Sequence, residues 1–239
     1  MSQSKYMAIA QEIKKRIISQ QYQHGEPLPD QFKLADEFHT SRMTIQRAIQ
    51  QLIIEGTLYT RQGQGTFVRK NFLQLSQWDS PVTDYFGATK KWEGIGKVTS
   101  EVIKFDIRFP TDKEQSCLLI DADMPIYDLI RLRFVNAEPV SLDYTLMPLK
   151  LIPNLTKDIL QKSIFSYIQQ DLGLKILGSY RIIRAMKPND YEQRYLNCKE
   201  HDPVLEVEQI IYLDDGTPLE YAHCRYRYDH GGIIVVNNV

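Results

Sequence analysis

Three cysteines in 239 residues, Cys117, Cys198 and Cys224, are too few and too scattered for a disulfide framework, and no CxxC pair or Cys/His cluster offers metal ligands. Free thiols and no bound metal are expected. No apolar run approaches the roughly 20 residues of a membrane span, and the N-terminus lacks an apolar signal core, so a cytoplasmic chain without a membrane partner is expected. There is no Ser/His/Asp spacing, nucleophile elbow or phosphate-cradling loop, and Gly63-Gln64-Gly65 is too short to hold a nucleotide. Neither catalysis nor a cofactor is expected. Excess charge is missing too, since a net charge of −1 argues against bulk coating of nucleic acid. The balance is uneven, however: residues 1–70 hold 10 Lys and Arg against 6 Asp and Glu, net +4, and residues 71–239 hold 19 against 24, net −5.

The basic part contains a recognisable helix pair. Ile45, Ala48, Ile49 and Leu52 recur at helical spacing behind an N-cap at Ser41, while Arg42, Thr44, Gln46 and Arg47 fall mostly off that stripe. Glu55-Gly56 ends a rod of about 14 residues, which fits a DNA major groove. Before it, 29–38 reads as a short helix with Phe32, Ala35 and Phe38 inward, followed by a turn at His39-Thr40. After it, two β-prone runs at 57–60 and 66–69 flank Arg61-Gln62-Gly63-Gln64-Gly65, a glycine-bearing wing. A first helix at 5–20 places Tyr6, Ile9, Ile13 and Ile17 on one stripe, and its charges Lys14, Lys15 and Arg16 are expected to be solvated.

The rest of the chain repeats itself. Pro110-Thr111-Asp112-x-Glu114-Gln115 and Pro188-Asn189-Asp190-x-Glu192-Gln193 are capping boxes at the same internal position, and Leu118 with Leu196 and Pro125 with Pro203 continue the correspondence. Each copy reads strand, short helix, strand, turn, strand. Strands are expected at 127–135, 140–147, 204–213 and 219–228, with a helix at 156–172 closed by Gly173. These segments predict an antiparallel sheet with helices on one face and a pocket where the two halves meet.

Gly25, Leu28-Pro29, Leu34-Ala35, Ser41-Arg42-Met43-Thr44, Glu55-Gly56 and Gly63-Gln64-Gly65-Thr66 together resemble the winged helix-turn-helix of the GntR family of bacterial transcription regulators. Arg131-x-Arg133, Glu138-Pro139-Val140, Asp143-Tyr144, Ser163-Ile164-Phe165, Pro218-Leu219-Glu220 and Tyr226-Arg227-x-Asp229 resemble the UTRA effector-binding domain of its HutC subfamily, a chorismate-lyase-like fold. The resemblance implies an α+β chain with a DNA-binding domain at 1–70, a linker and lead-in at 71–96, and an effector-binding and dimerisation domain at 97–239. It implies a homodimer on a near-palindromic double-stranded operator, acting as a repressor under the control of a small anionic metabolite such as a sugar phosphate. The alternative is an enzyme of chorismate-lyase-like fold tethered to DNA; an architectural DNA binder would leave the second domain without a task.

Site expectations follow from both lines. Ser41, Arg42, Thr44, Gln46 and Arg47 on the helix and Arg61, Gln64 and Gly65 on the wing are expected at the operator. Where Gln46 stands the family usually has Arg, so Gln46 either reads adenine or touches only phosphate or solvent. Arg131 and Arg133 are two apart on a strand and leave one face together. They either sit on a solvated face or clamp an anion, and the resemblance adds Asp143, Ser163, Glu220 and Arg227 as effector contacts. Glu220 and Arg227 have opposite strand parity, so a bulge is needed to bring both to one pocket.

Overall fold

A computed structural model describes residues 5–71, 97–230 and 232, which fall into an N-terminal and a C-terminal compact unit. Of the expected linker and lead-in, all but Asn71 lies outside the described residues.

The first unit packs α1 (Lys5–Ile18), α2 (Gln31–Glu37) and α3 (Arg42–Ile54) against a hairpin of β1 (Leu58–Arg61) and β2 (Gly65–Val68). Its core joins Ile9, Ile13 and Ile17 to Leu34, Ile45, Ala48, Leu52, Leu58 and Val68, so the expected stripes of α1 and α3 do face inward. Asp30 starts α2 by accepting from the Phe32 and Lys33 amides, and Ser41 starts α3 by accepting from Thr44. Two expectations need correcting. Phe32 points outward and is 61% exposed, because Leu34 and Ala35 fill the space under α2. Arg16 is held by Glu12, Glu37 and the Tyr22 hydroxyl, and Lys14 by Glu55, so both charges tie helices together instead of being simply solvated.

The second unit is a six-stranded antiparallel sheet whose strands lie in the order Val98–Arg108, Ile126–Val135, Glu138–Pro148, Pro218–Arg227, Val204–Leu213, Ile176–Met186. β3 (Val98–Arg108), α4 (Asp112–Leu118), β4 (Ile126–Val135) and β5 (Glu138–Pro148) form the first copy of the repeat. β6 (Ile176–Met186), α7 (Asp190–Tyr195), β7 (Val204–Leu213) and β8 (Pro218–Arg227) form the second. Both capping boxes are closed, by Thr111 with Glu114 and by Asn189 with Glu192. β5 pairs with β8, so the copies meet at the centre of the sheet. A register shift falls at the same place in each copy, between Arg133 and Phe134 and between Ile211 and Tyr212, and re-aims Ser141 and Glu220 opposite them.

Helices cover both faces of this sheet, not one. Tyr127, Leu129, Met147, Ile211 and Leu213 share a core with Leu160 of α5 (Lys157–Gln161), Ile164 of α6 (Ile164–Ser166) and Ile168 of the π-helical turn Tyr167–Asp171. The other face packs Leu118 of α4 on Ile126 and Tyr221, and Leu196, just after α7, on Ile130, Leu132 and Val204. The single helix expected at 156–172 is broken at Lys162, whose backbone is extended, because Ser163 caps a new turn by accepting from the Ser166 amide.

Candidate functional site

The N-terminal unit presents its expected DNA residues on the first half of α3 and on the wing. Arg42, Gln46 and Arg47 are exposed, Thr44 is half-buried, and the Ser41 hydroxyl lies 2.9 Å from that of Thr44. At the wing Arg61 pairs with Gly65 across the turn, and Arg61, Gln64 and Gly65 are all exposed. Gly63 and Gly65 have φ of +73° and +111°, where a side chain is strained, so glycine is required to close the turn. Arg42, Arg47 and Arg61 have no acidic partner among the described residues, in contrast to Lys14 and Arg16. Uncompensated cations on exposed elements are what phosphate neutralisation needs.

The C-terminal unit carries a buried polar layer on the sheet face covered by α5 and α6. Arg131 and Arg133 are each only 3% exposed, which excludes the solvated alternative. Arg133 donates from Nε to Asp143 Oδ2 at 2.8 Å and from Nη1 to the Ser100 hydroxyl, and Ser141 donates to the other Asp143 oxygen at 3.3 Å. Across the centre of the sheet, Gln209 takes a bond from Arg181 at 3.0 Å and gives one to Glu220 at 3.1 Å. Arg131 belongs to neither network, and its Nε and Nη1 are buried without a hydrogen-bond partner among the described residues. Burial, reinforced by Arg133, pulls its pKa down to about 9, so it remains a cation at neutral pH.

Four expected effector residues, Arg131, Arg133, Asp143 and Glu220, therefore come together on one face. Ser163 belongs to the covering layer and is half-buried, its hydroxyl engaged as a helix cap. Arg227 does not join them: no register shift separates Glu220 from Arg227 along β8, so it leaves the opposite face, bonded to Asp229 and to the Leu196 carbonyl. Ser100, Ser141, Arg181 and Gln209 were not singled out by the motifs. Gln209 was reachable as the repeat counterpart of Arg131, whereas a regular hairpin register would set Val140 against Arg133, and only the register shift brings Ser141 there.

Burial pushes the Glu220 carboxyl up to about 7 against the pull of Arg131 and Gln209. The folded state thus holds a proton that the unfolded chain releases near 4.5. The stabilisation is complete below that value and is lost as pH rises through about 7. Thermal midpoints followed as pH rises from 4.5 through about 7 should fall more steeply for the parent than for Glu220→Gln. Equal slopes would show that Glu220 does not titrate in this window.

The opposite face holds a cleft of about 340 Å³ lined in part by Arg108, Lys113, Tyr144, Tyr221, His223 and Arg225. Its charges are spent on one another. Arg108 bridges the capping-box Glu114 and Asp128, and holds Glu114 down to about 2; Arg225 bridges the capping-box Glu192 and Glu206. Lys113 pairs with Glu208. These clamps fasten α4 and α7 to the sheet and offer an anion no spare cation, unlike Arg131.

Comparison with known proteins agrees with this division. Residues 5–68 match the model of the bacterial regulatory proteins, gntR family, and residues 95–230 match the UTRA domain. The HTH-type transcriptional regulator GmuR of Bacillus subtilis is 40% identical over 234 residues, 98% of both chains. The mannosyl-D-glycerate transport/metabolism system repressor MngR of Escherichia coli is 29% identical, covering 94% of this chain and 92% of its own. The crystal structure described as that of the possible transcriptional regulator YydK of Bacillus subtilis superposes with a TM-score of 0.77 at 31% identity, over 99% of this chain and 100% of that one.

Proposed function

The chain belongs to the gntR family of bacterial regulatory proteins, with a UTRA effector-binding domain behind its winged helix, and from that premise we propose that an anionic sugar derivative controls its operator binding. It is a DNA-binding transcriptional regulator, not an enzyme, and relatives that match it almost end to end are regulators. The chorismate-lyase-like enzyme alternative is thereby set aside.

The observation that carries the proposal is Arg131, a buried cation with two unpartnered donors beside a second guanidinium. A phosphate or carboxylate placed there neutralises the charge and fills both donors through charge-assisted, bidentate hydrogen bonds. Gln209 and Glu220 on the second repeat, and Ser163 in the covering segment, are the polar groups for sugar hydroxyls. MngR offers a parallel, since the system it represses handles a glycerate, a carboxylate. In this reading Arg133 and Asp143 fix the geometry, and Arg227 is not a ligand contact.

The regulator acts in the cytoplasm as a homodimeric repressor on two half-sites about one helical turn apart, and effector binding favours one relative placement of its winged helices. Each subunit reads DNA through Arg42, Thr44, Gln46 and Arg47, with Ser41 capping the helix and Arg61, Gln64 and Gly65 at the wing. Arg42→Ala is expected to weaken operator binding by about 1 to 3 kcal/mol at matched salt. Selection of operators from random duplexes tests Gln46 as well: Gln46→Arg should exchange adenine for guanine at one base pair per half-site. Parent-like affinity of Arg42→Ala would remove α3 from the interface.

A further inference from the structure

Phe32 departs from the pattern of its helix. Leu34 and Ala35 fill the core beneath α2 and Phe38 packs against it, yet Phe32 keeps 61% of its surface exposed. The ring is not bare: the Arg42 guanidinium carbon sits 4.0 Å from its centroid, well within the roughly 6 Å reach of a cation–π contact. Both partners are anchored at helix starts. Asp30 accepts from the Phe32 amide at 2.9 Å and from the Lys33 amide at 3.0 Å, and Arg42 is the first residue of α3 behind the Ser41 cap.

The chemistry of the stack matters more than its presence. A guanidinium lying on a ring uses its flat face, and its N–H donors, which point outward in the plane, stay free for another acceptor. Those donors are the ones that reach guanine O6 and N7, or two phosphate oxygens, in a bidentate pair. A long side chain already held in one orientation also loses less freedom when DNA arrives. The wing repeats the arrangement: the Arg61 guanidinium lies 4.8 Å from the Phe67 ring, which stacks on Tyr59.

We propose that Phe32 is a positioning residue for operator recognition, which holds the Arg42 guanidinium edge-outward through face stacking and touches no base itself. This rests on the reading of α3 as the DNA-contacting helix. An apolar ring in direct contact with a thymine methyl is the competing account, and coupling separates the two.

The experiment is a double-mutant cycle on the full chain, with an operator selected by the parent protein and affinity read by fluorescence anisotropy at one salt concentration. Phe32→Ala should weaken binding about tenfold, Phe32→Tyr less than about twofold, and Phe32→Ala added to Arg42→Ala less than about twofold. The thermal midpoint should be unchanged in all of them, since neither side chain is in the core. Equal losses from Phe32→Ala with and without Arg42 would overturn positioning in favour of direct contact. Parent-like binding by Phe32→Ala beside weak binding by Arg42→Ala would overturn it while leaving α3 as the reading helix. Parent-like binding by Arg42→Ala would defeat both.

Discussion

Replacing Arg131 by methionine is expected to raise the thermal midpoint of the ligand-free protein and to abolish its response to effector. The two effects have one origin. Arg131 is buried with Nε and Nη1 unpartnered and with Arg133 as a neighbour, so folding takes a cation out of water without giving it hydrogen bonds in return. Asp143 is already engaged by Arg133, and Glu220, pushed up to about 7, becomes neutral when Arg131 is removed. Exchanging buried charged groups for apolar side chains of similar volume is often neutral or stabilising, by up to about 4 kcal/mol when packing is kept. The variant nevertheless lacks the group that an anion binds. Thermal unfolding with and without ligand checks both halves, and a lower midpoint in the variant would mean that Arg131 is compensated in the ligand-free state.

Asp143→Ala is expected to do the opposite. Asp143 is 6% exposed, accepts from Arg133 and Ser141, and is the carboxylate nearest in register to Arg131, its partner across the β4–β5 pair. Without it two guanidinium groups lie side by side in the interior with no acid between them. Breaking a buried pair from one side costs about 3 to 5 kcal/mol. Denaturant titration should show that loss, and adding Arg131→Met to Asp143→Ala should recover part of it by removing one of the two stranded charges. Strictly additive effects would mean that the side chains do not share a field.

These expectations depend on burial that the sequence only half discloses. The repeat was legible because prolines and caps recur at one offset, which grows by one inserted residue at the second hairpin turn, and every strand of the second unit follows the repeat, including β3 and β6, implied only as the first strand of each copy. The arginine pair was legible as a pair, since alternate residues of a strand share a face. Its burial was not, because alternation says which residues share a face and not what covers it. The covering layer comes from the segment after β5, where apolar spacing runs unbroken through Ser163 while the backbone breaks to cap a new turn. Phe32 was misplaced for a similar reason: its spacing to Ala35 and Phe38 fits an inward stripe, but Leu34 reaches the core first. Arg227 could be set apart by parity alone, and the uninterrupted register from Glu220 onward keeps it on the other face.

The central claim, that an anionic sugar derivative binds at Arg131, which lies beside the already engaged Arg133, and controls the operator, is tested most directly by one thermal-shift comparison. Phosphorylated and acidic sugars and their neutral counterparts are offered to the parent and to Arg131→Met, and stabilisation by mass action reports binding to the native state. At least one phosphorylated or acidic sugar should raise the parent's midpoint, its neutral counterpart should not, and Arg131→Met should respond to neither. A neutral sugar that stabilises both proteins equally would contradict the account.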